Sequence, residues 1–127
     1  MISIEKIYHY EPRFDIFYQG ETKVLTFIAR YQSQYQNHCL LPSDISKSLD
    51  MTSPRVSNIL STLEKKGYIK RDFSTVDRRK VYIYITEDGQ KYVDDISIKS
   101  RALFDSMIEK LGEHDAKELV RIINRLI

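Results

Sequence analysis

The sequence predicts a mainly α fold with one small β-hairpin, and three observations predict it. Apolar residues recur at helical spacing through most of the 127-residue chain. Between about 68 and 86 the period drops to two, in two short runs parted by a polar loop. Just before that stretch two helices stand close together, separated by the spacer Asp50-Met51-Thr52. A helix pair with so short a spacer is a helix-turn-helix, and a hairpin directly after it is a wing.

Residues 1 to 20 are rich in aromatics (Tyr8, Tyr10, Phe14, Phe17, Tyr18) and contain Pro12, which interrupts any helix begun near Ser3. They read as a short helix and an irregular segment ending at Gly20. From Glu21, whose carboxylate suits the positive end of a helix dipole, Val24, Leu25, Phe27, Ile28, Tyr31 and Tyr35 follow helical spacing. That helix fades in the polar stretch 32 to 38. Ser43 reads as the N-cap of a second helix of about two turns, with Ile45 and Leu49 on its apolar face. The third helix has the clearest start: Thr52 can cap, Ser53 follows, and Pro54 sits in the first turn, where its missing N–H costs nothing. Val56, Ile59, Leu60 and Leu63 form its apolar stripe, and Gly67 stands where a left-handed residue stops the helix.

After Gly67, Tyr68, Lys70 and Asp72 alternate with Ile69, Arg71 and Phe73; later Val81, Ile83 and Ile85 alternate with Lys80, Tyr82, Tyr84 and Thr86. The loop 74 to 79 joins these two strands. Thr86 reads as the cap of a long helix over about 88 to 111, with Val93, Ile96, Leu103 and Met107 on one face and Gly112 as its stop. A last helix over about 113 to 127 puts Leu119, Ile122, Ile123, Leu126 and Ile127 on one stripe. A small winged-helix core leaves that stripe in need of cover. A homodimer supplies it; packing against the preceding helix is the alternative.

Composition and charge narrow the function classes. With 42% hydrophobic and 30% charged residues the chain reads as one globular domain over 1–127, not as a disordered, fibrous or membrane-spanning one. No signal-peptide core follows Met1, so a cytoplasmic location is expected. The single cysteine, Cys39, cannot form an internal disulfide, and it reads as a small buried hydrophobe. The net charge of +2 hides an asymmetry: residues 55 to 80 carry eight basic and three acidic side chains, a local +5, and the rest of the chain carries −3. Such a basic middle is the footprint of a chain that presents one face to a polyanion, although a solvated surface has the same composition.

In a winged helix-turn-helix the N-terminal turn of the second helix enters the DNA major groove, which directs Thr52, Ser53, Pro54, Arg55, Ser57 and Asn58 at base edges or phosphates. Arg55 is the best base reader, because its guanidinium fork can bond guanine O6 and N7 together; Asn58 lies one turn on. Thr52 and Ser53 serve equally as caps or phosphate donors. Ser43, at the start of the preceding helix, can offer a hydroxyl and a backbone N–H to a phosphate. Arg78 and Lys80 suit phosphate. Lys65, Lys66, Lys70 and Arg71 read as solvated surface or as further backbone contacts, and Tyr82 and Tyr84 as packing or rim residues.

Several of these stretches resemble the MarR family of bacterial transcription regulators. Residues 41 to 52 are similar to the first helix of the pair. The run Leu63-Glu64-Lys65-Lys66-Gly67-Tyr68-Ile69-Lys70-Arg71 is similar to the family's L-E-x-x-G-hydrophobic-hydrophobic-x-R passage from recognition helix to wing. Asp77-Arg78-Arg79 matches its wing Asp-x-Arg, and Ile85-Thr86-Glu87-Asp88-Gly89 its x-T-x-x-G strand end. The resemblance covers 21 to 93 and departs at the N-terminus, where the family carries a longer helix. It implies a single MarR-like domain: 21–86 would be the winged helix-turn-helix DNA-binding region, 1–20 and 87–127 a dimerisation region. It further implies that Arg79 reaches into the minor groove while Asp77 holds the wing tip. The expected function is that of a sequence-specific, homodimeric regulator of double-stranded DNA, a repressor relieved by a small-molecule effector or another signal.

Other classes find little support. The four glycines are isolated, so no phosphate loop exists; His9, His38 and His114 lack ligand spacing; and no catalytic group of residues stands out. No enzyme activity, metal or cofactor is therefore expected. The remaining alternative, a winged-helix protein-interaction module without specific DNA binding, suits a neutral 55–80 segment better than the basic one present.

Overall fold

The computed structural model describes residues 17–35, 40–73, 76–77 and 80–126. Its elements are α1 (Gly20–Gln34), α2 (Pro42–Ser48), α3 (Ser53–Lys65), β1 (Ile69–Phe73), β2 (Val81–Ile85) and α4 (Glu87–Arg125). This is the mainly helical, winged arrangement that the sequence predicts. The expected helix before Gly20 with its Pro12, together with Cys39, His9, His38, Arg78, Arg79 and Ile127, lies outside the described residues.

Two compact units make up the chain, one over Tyr18–Asp95 and a second that takes in residues from Ile96 onward. In the first unit the helical stripes named above turn inward together. Val24, Leu25 and Ile28 of α1, Ile45 of α2, Val56, Leu60 and Leu63 of α3, Ile69 of β1 and Ile83 of β2 form one fully buried core with Leu40. Each such side chain contributes about 2 kcal/mol by leaving water. Phe27, Tyr31, Leu49, Ile59 and Val93 pack around them.

The start of α2 differs from the sequence reading. Leu41, not Ser43, occupies the N-cap, Pro42 opens the helix, and the Asp44 carboxylate accepts a 2.9 Å bond from the Leu41 backbone N–H. A proline at the first helical position starts a helix without loss, and Asp44 three residues beyond the cap supplies the reciprocal bond that a serine cap does not have to provide. The turn into α3 is set by Asp50, whose φ of 52° is left-handed, while the Met51 N–H closes onto the Ser46 carbonyl at 3.0 Å. At the other end of α3, Gly67 (φ 80°) completes a Schellman motif: Gly67 N–H bonds Glu64 O and Tyr68 N–H bonds Leu63 O, each at 3.0 Å.

The wing strands pair antiparallel in the register Ile69↔Ile85, Arg71↔Ile83 and Phe73↔Val81. The outer edge of β2 is not left open. Ile83 N–H donates to Leu40 O at 3.0 Å, and the Gln32 carboxamide clamps the same edge, donating to Ile83 O and accepting from Ile85 N–H, both at 2.8 Å. One side chain of α1 thus does the work of a third strand. Thr86 caps α4 as expected: its hydroxyl accepts from Gly89 N–H at 3.0 Å and donates to Gly67 O at 2.6 Å. A Cβ at Gly89 would lie 2.2 Å from the Tyr68 carbonyl oxygen, so only glycine lets α4 start this close to β1. Tyr68 and Tyr92 stack beside it, 4.8 Å between centroids.

In the second unit α4 breaks at Gly112 (φ 79°, ψ 173°), a conformation open to glycine alone and the stop that the sequence marks. Phe104 and Ile108 before the break pack with Ala116 and Val120 after it. Met107 and Leu119 pack on this core and Ile123 is buried, as the sequence predicts, but each stripe is corrected in part. Leu103 is 64% exposed, and its neighbour Phe104 is fully buried instead. Beyond Gly112 the buried line is Ala116, Val120 and Ile123, whereas Ile122 and Leu126 are exposed. The break resets the helical phase, and small Ala116 allows close approach where sequence reading favoured the larger residues. The last helix therefore finds part of its cover within the chain.

Candidate nucleic-acid interface

The period of α3 decides what it presents. Turning Val56, Leu60 and Leu63 into the core leaves Ser53, Pro54, Arg55, Ser57 and Asn58 exposed, together with the cap Thr52. The Thr52 hydroxyl accepts from Arg55 N–H at 3.4 Å, so it caps as the sequence suggests. No side chain among Ser53, Arg55, Ser57 and Asn58 bonds another described residue, and their donors and acceptors all face outward. One turn further on the character changes. Thr62 donates to Asn58 O at 3.1 Å and Ser61 accepts from Arg71 at 3.4 Å, so the available polar groups are confined to the first two turns. Ser43 is exposed in the first turn of α2, where its carbonyl accepts from Ser46.

On the wing, Lys80 is exposed and its N–H donates to Asp77 O at 3.0 Å, while Asp77 itself is half-buried. Arg78 and Arg79 lie outside the described residues. Phe73 is exposed at the end of β1.

The basic run is not uniform. Arg55, Lys65, Lys70 and Lys80 make no ion pair with a described residue. Lys66, in contrast, bonds Glu21 at 2.6 Å, tying the end of α3 to the first turn of α1. Arg71 bonds Glu64 at 3.0 Å across from β1 to α3. That hydrogen bond holds the Glu64 carboxyl below its ordinary range, and Glu21 raises the Lys66 ammonium. Reading Lys66 and Arg71 as free surface missed these two pairings. Helix-period reasoning finds partners at i, i+3 and i+4; these are joined only by tertiary folding.

Among the described residues no group of three His, Cys, Asp or Glu side chains could hold a metal ion, and no helix is long and apolar enough to cross a membrane.

Comparison with known proteins bears on the same segment. The family model described as MarR family matches residues 17–81, just over half of the chain. The HTH-type transcriptional regulator PrsX of Escherichia coli is 34% identical over 90 residues, which are 71% of this chain and 54% of PrsX. The chain thus spans about half the length of that relative. Among solved structures, a mutant of S. aureus MepR superposes with a TM-score of 0.68 at 23% identity, covering 96% of this chain and 82% of MepR. Streptococcus pneumoniae FabT, in complex with DNA, gives a TM-score of 0.65 at 26% identity, covering 97% of this chain and 82% of FabT. With the family model matched over more than half of its length, and with the helix pair and the paired wing strands in place, the chain belongs to the MarR family.

Proposed function

We propose that this protein is a sequence-specific double-stranded DNA-binding transcription regulator acting in the cytoplasm as a homodimeric repressor. The observation that carries the reading is the first two turns of α3, where Thr52, Ser53, Pro54, Arg55, Ser57 and Asn58 are exposed and the side chains beyond the Thr52 cap are unspent. Arg55 and Asn58 read base edges; Thr52, Ser53 and Ser43 hold phosphates; Lys80 and Arg78 anchor the wing on the backbone, with Arg79 in the minor groove and Asp77 steadying the tip. The DNA-bound state of FabT supports this use of the fold. Homodimerisation is supported by Ile98, Leu103, Ile122 and Leu126, which remain exposed on the second unit after its own core is formed. A small ligand or other signal then releases the complex.

The test is a titration of the protein against labelled duplexes, first its own upstream region and then a scrambled duplex of equal composition, across a range of salt. Specific binding at least about a thousandfold tighter than scrambled is expected. Equal affinity for both would leave only a sequence-blind polyanion binder.

A further inference from the structure

We infer that Arg71 masks the one acidic charge on the DNA-facing helix, and that this masking, not a phosphate contact of its own, is its contribution to DNA affinity. The inference rests on the DNA-binding reading of α3. Glu64 is the only acidic residue in Ser53–Lys65, and at helical spacing it shares a face with the exposed Pro54 and Ser57 and the half-buried Ser61. Unpaired, its carboxylate would repel the backbone that flanks an inserted helix. Protonation offers no escape, because an exposed glutamate is ionised at neutral pH with or without a partner.

The geometry sets Arg71 against that charge. It sits on the wing strand β1, where the register opposite Ile83 turns its side chain toward α3, and Nη2 reaches both Glu64 Oε1 at 3.0 Å and Ser61 Oγ at 3.4 Å. Its side chain is only 25% exposed, against 42% for Glu64, so the carboxylate is the more outward partner and the guanidinium is largely committed to it. A half-exposed pair of this kind adds little to folding stability, which leaves charge cancellation as its main effect. Its neighbours Lys65 and Lys70 have no such partner among the described residues and remain available to phosphate.

The experiment measures affinity for a labelled random-sequence duplex at low salt, about 50 mM, and again near physiological ionic strength. The proteins are wild type, Arg71→Ala, Glu64→Gln and the double variant, each checked for its melting transition. Arg71→Ala is expected to bind about tenfold more weakly at low salt, with the loss shrinking as salt rises. The double variant should recover most of that loss, and Glu64→Gln alone should bind at least as tightly as wild type. A double variant as weak as Arg71→Ala would show that Arg71 contacts DNA itself and overturn the inference, as would an unchanged Arg71→Ala or a weakened Glu64→Gln. Should Arg71→Ala fail to fold, Arg71→Gln takes its place in the single and the double variant. Failure of wild type to bind any duplex would count against the DNA reading, whereas binding without the recovery counts only against the masking.

Discussion

At the scale of single residues, the positions with the sharpest constraints are those where one atom meets the backbone. Gly89 is one. Gly89→Ala places a methyl where Tyr68 O already lies, so either α4 or β1 must move, and a loss of about 2 to 3 kcal/mol in denaturant unfolding is expected. Thr52→Ala removes a long cap bond and should cost about 0.5 to 1 kcal/mol of stability; a loss of DNA affinity beyond that would mark a phosphate contact as well. The Glu64–Arg71 pair predicts a pH effect with a definite sign. Because the folded carboxyl titrates below its unfolded value, its contribution is present above about pH 4.5 and is lost as pH falls through the folded value. Both side chains are partly solvated, so the effect stays under about 1 kcal/mol, and it should vanish in Arg71→Ala when melting is followed from pH 6 downward, over about three units. The glycines and the Thr52–Pro54 start were legible in the sequence because each is a local backbone requirement. Arg71 was not, because its partner lies on another element.

Among the elements, β2 shows how a side chain can finish a sheet. Gln32→Leu would leave Ile83 O and Ile85 N–H without partners on a part-buried edge, and a loss of about 2 kcal/mol is expected from thermal or urea unfolding. Nothing in the spacing of residues points to this bond, since Gln32 falls in a polar stretch where the apolar period fades. What was legible was the switch from a period of 3.6 to 2 after Gly67, because Ile69, Ile83 and Ile85 alternate with polar or aromatic residues and turn to the core; Arg71, on the same face of β1, is the exception. The stripes of α4 were less legible. A break at Gly112 shifts the phase of everything after it, and sequence spacing alone cannot say by how much. The start of α2 was misplaced for a different reason: proline and a downstream aspartate together open a helix as well as a serine cap does.

For the whole molecule, the meaning of the net +2 lies in its placement. The excess of basic groups falls on α3 and the wing, and two of them, Lys66 and Arg71, are spent on internal pairs. The Arg71–Glu64 pair is already balanced within the +5, whereas the Glu21 partner of Lys66 lies outside the segment and lowers the effective charge by one; the salt dependence of binding should reflect the remaining groups, with a slope of about −0.9 per phosphate neutralised. A homodimer places two α3 helices on one duplex, so protection footprints should show two half-sites about one helical turn, 10 to 10.5 base pairs, apart. A single half-site would argue against the paired arrangement. The basic segment and the winged order were visible in the sequence; the cover of the last helix was not, since it depends on which residues Gly112 turns toward Phe104.

The central claim is that the exposed opening turns of α3 read base sequence, and Arg55 tests it most directly. Equilibrium binding of wild type and Arg55→Ala is compared on the best duplex and on variants changed at each base pair in turn. The account predicts that Arg55→Ala loses about 1 to 3 kcal/mol of discrimination at one base pair per half-site and keeps its preference elsewhere. An Arg55→Ala protein with unchanged discrimination at every position would contradict it.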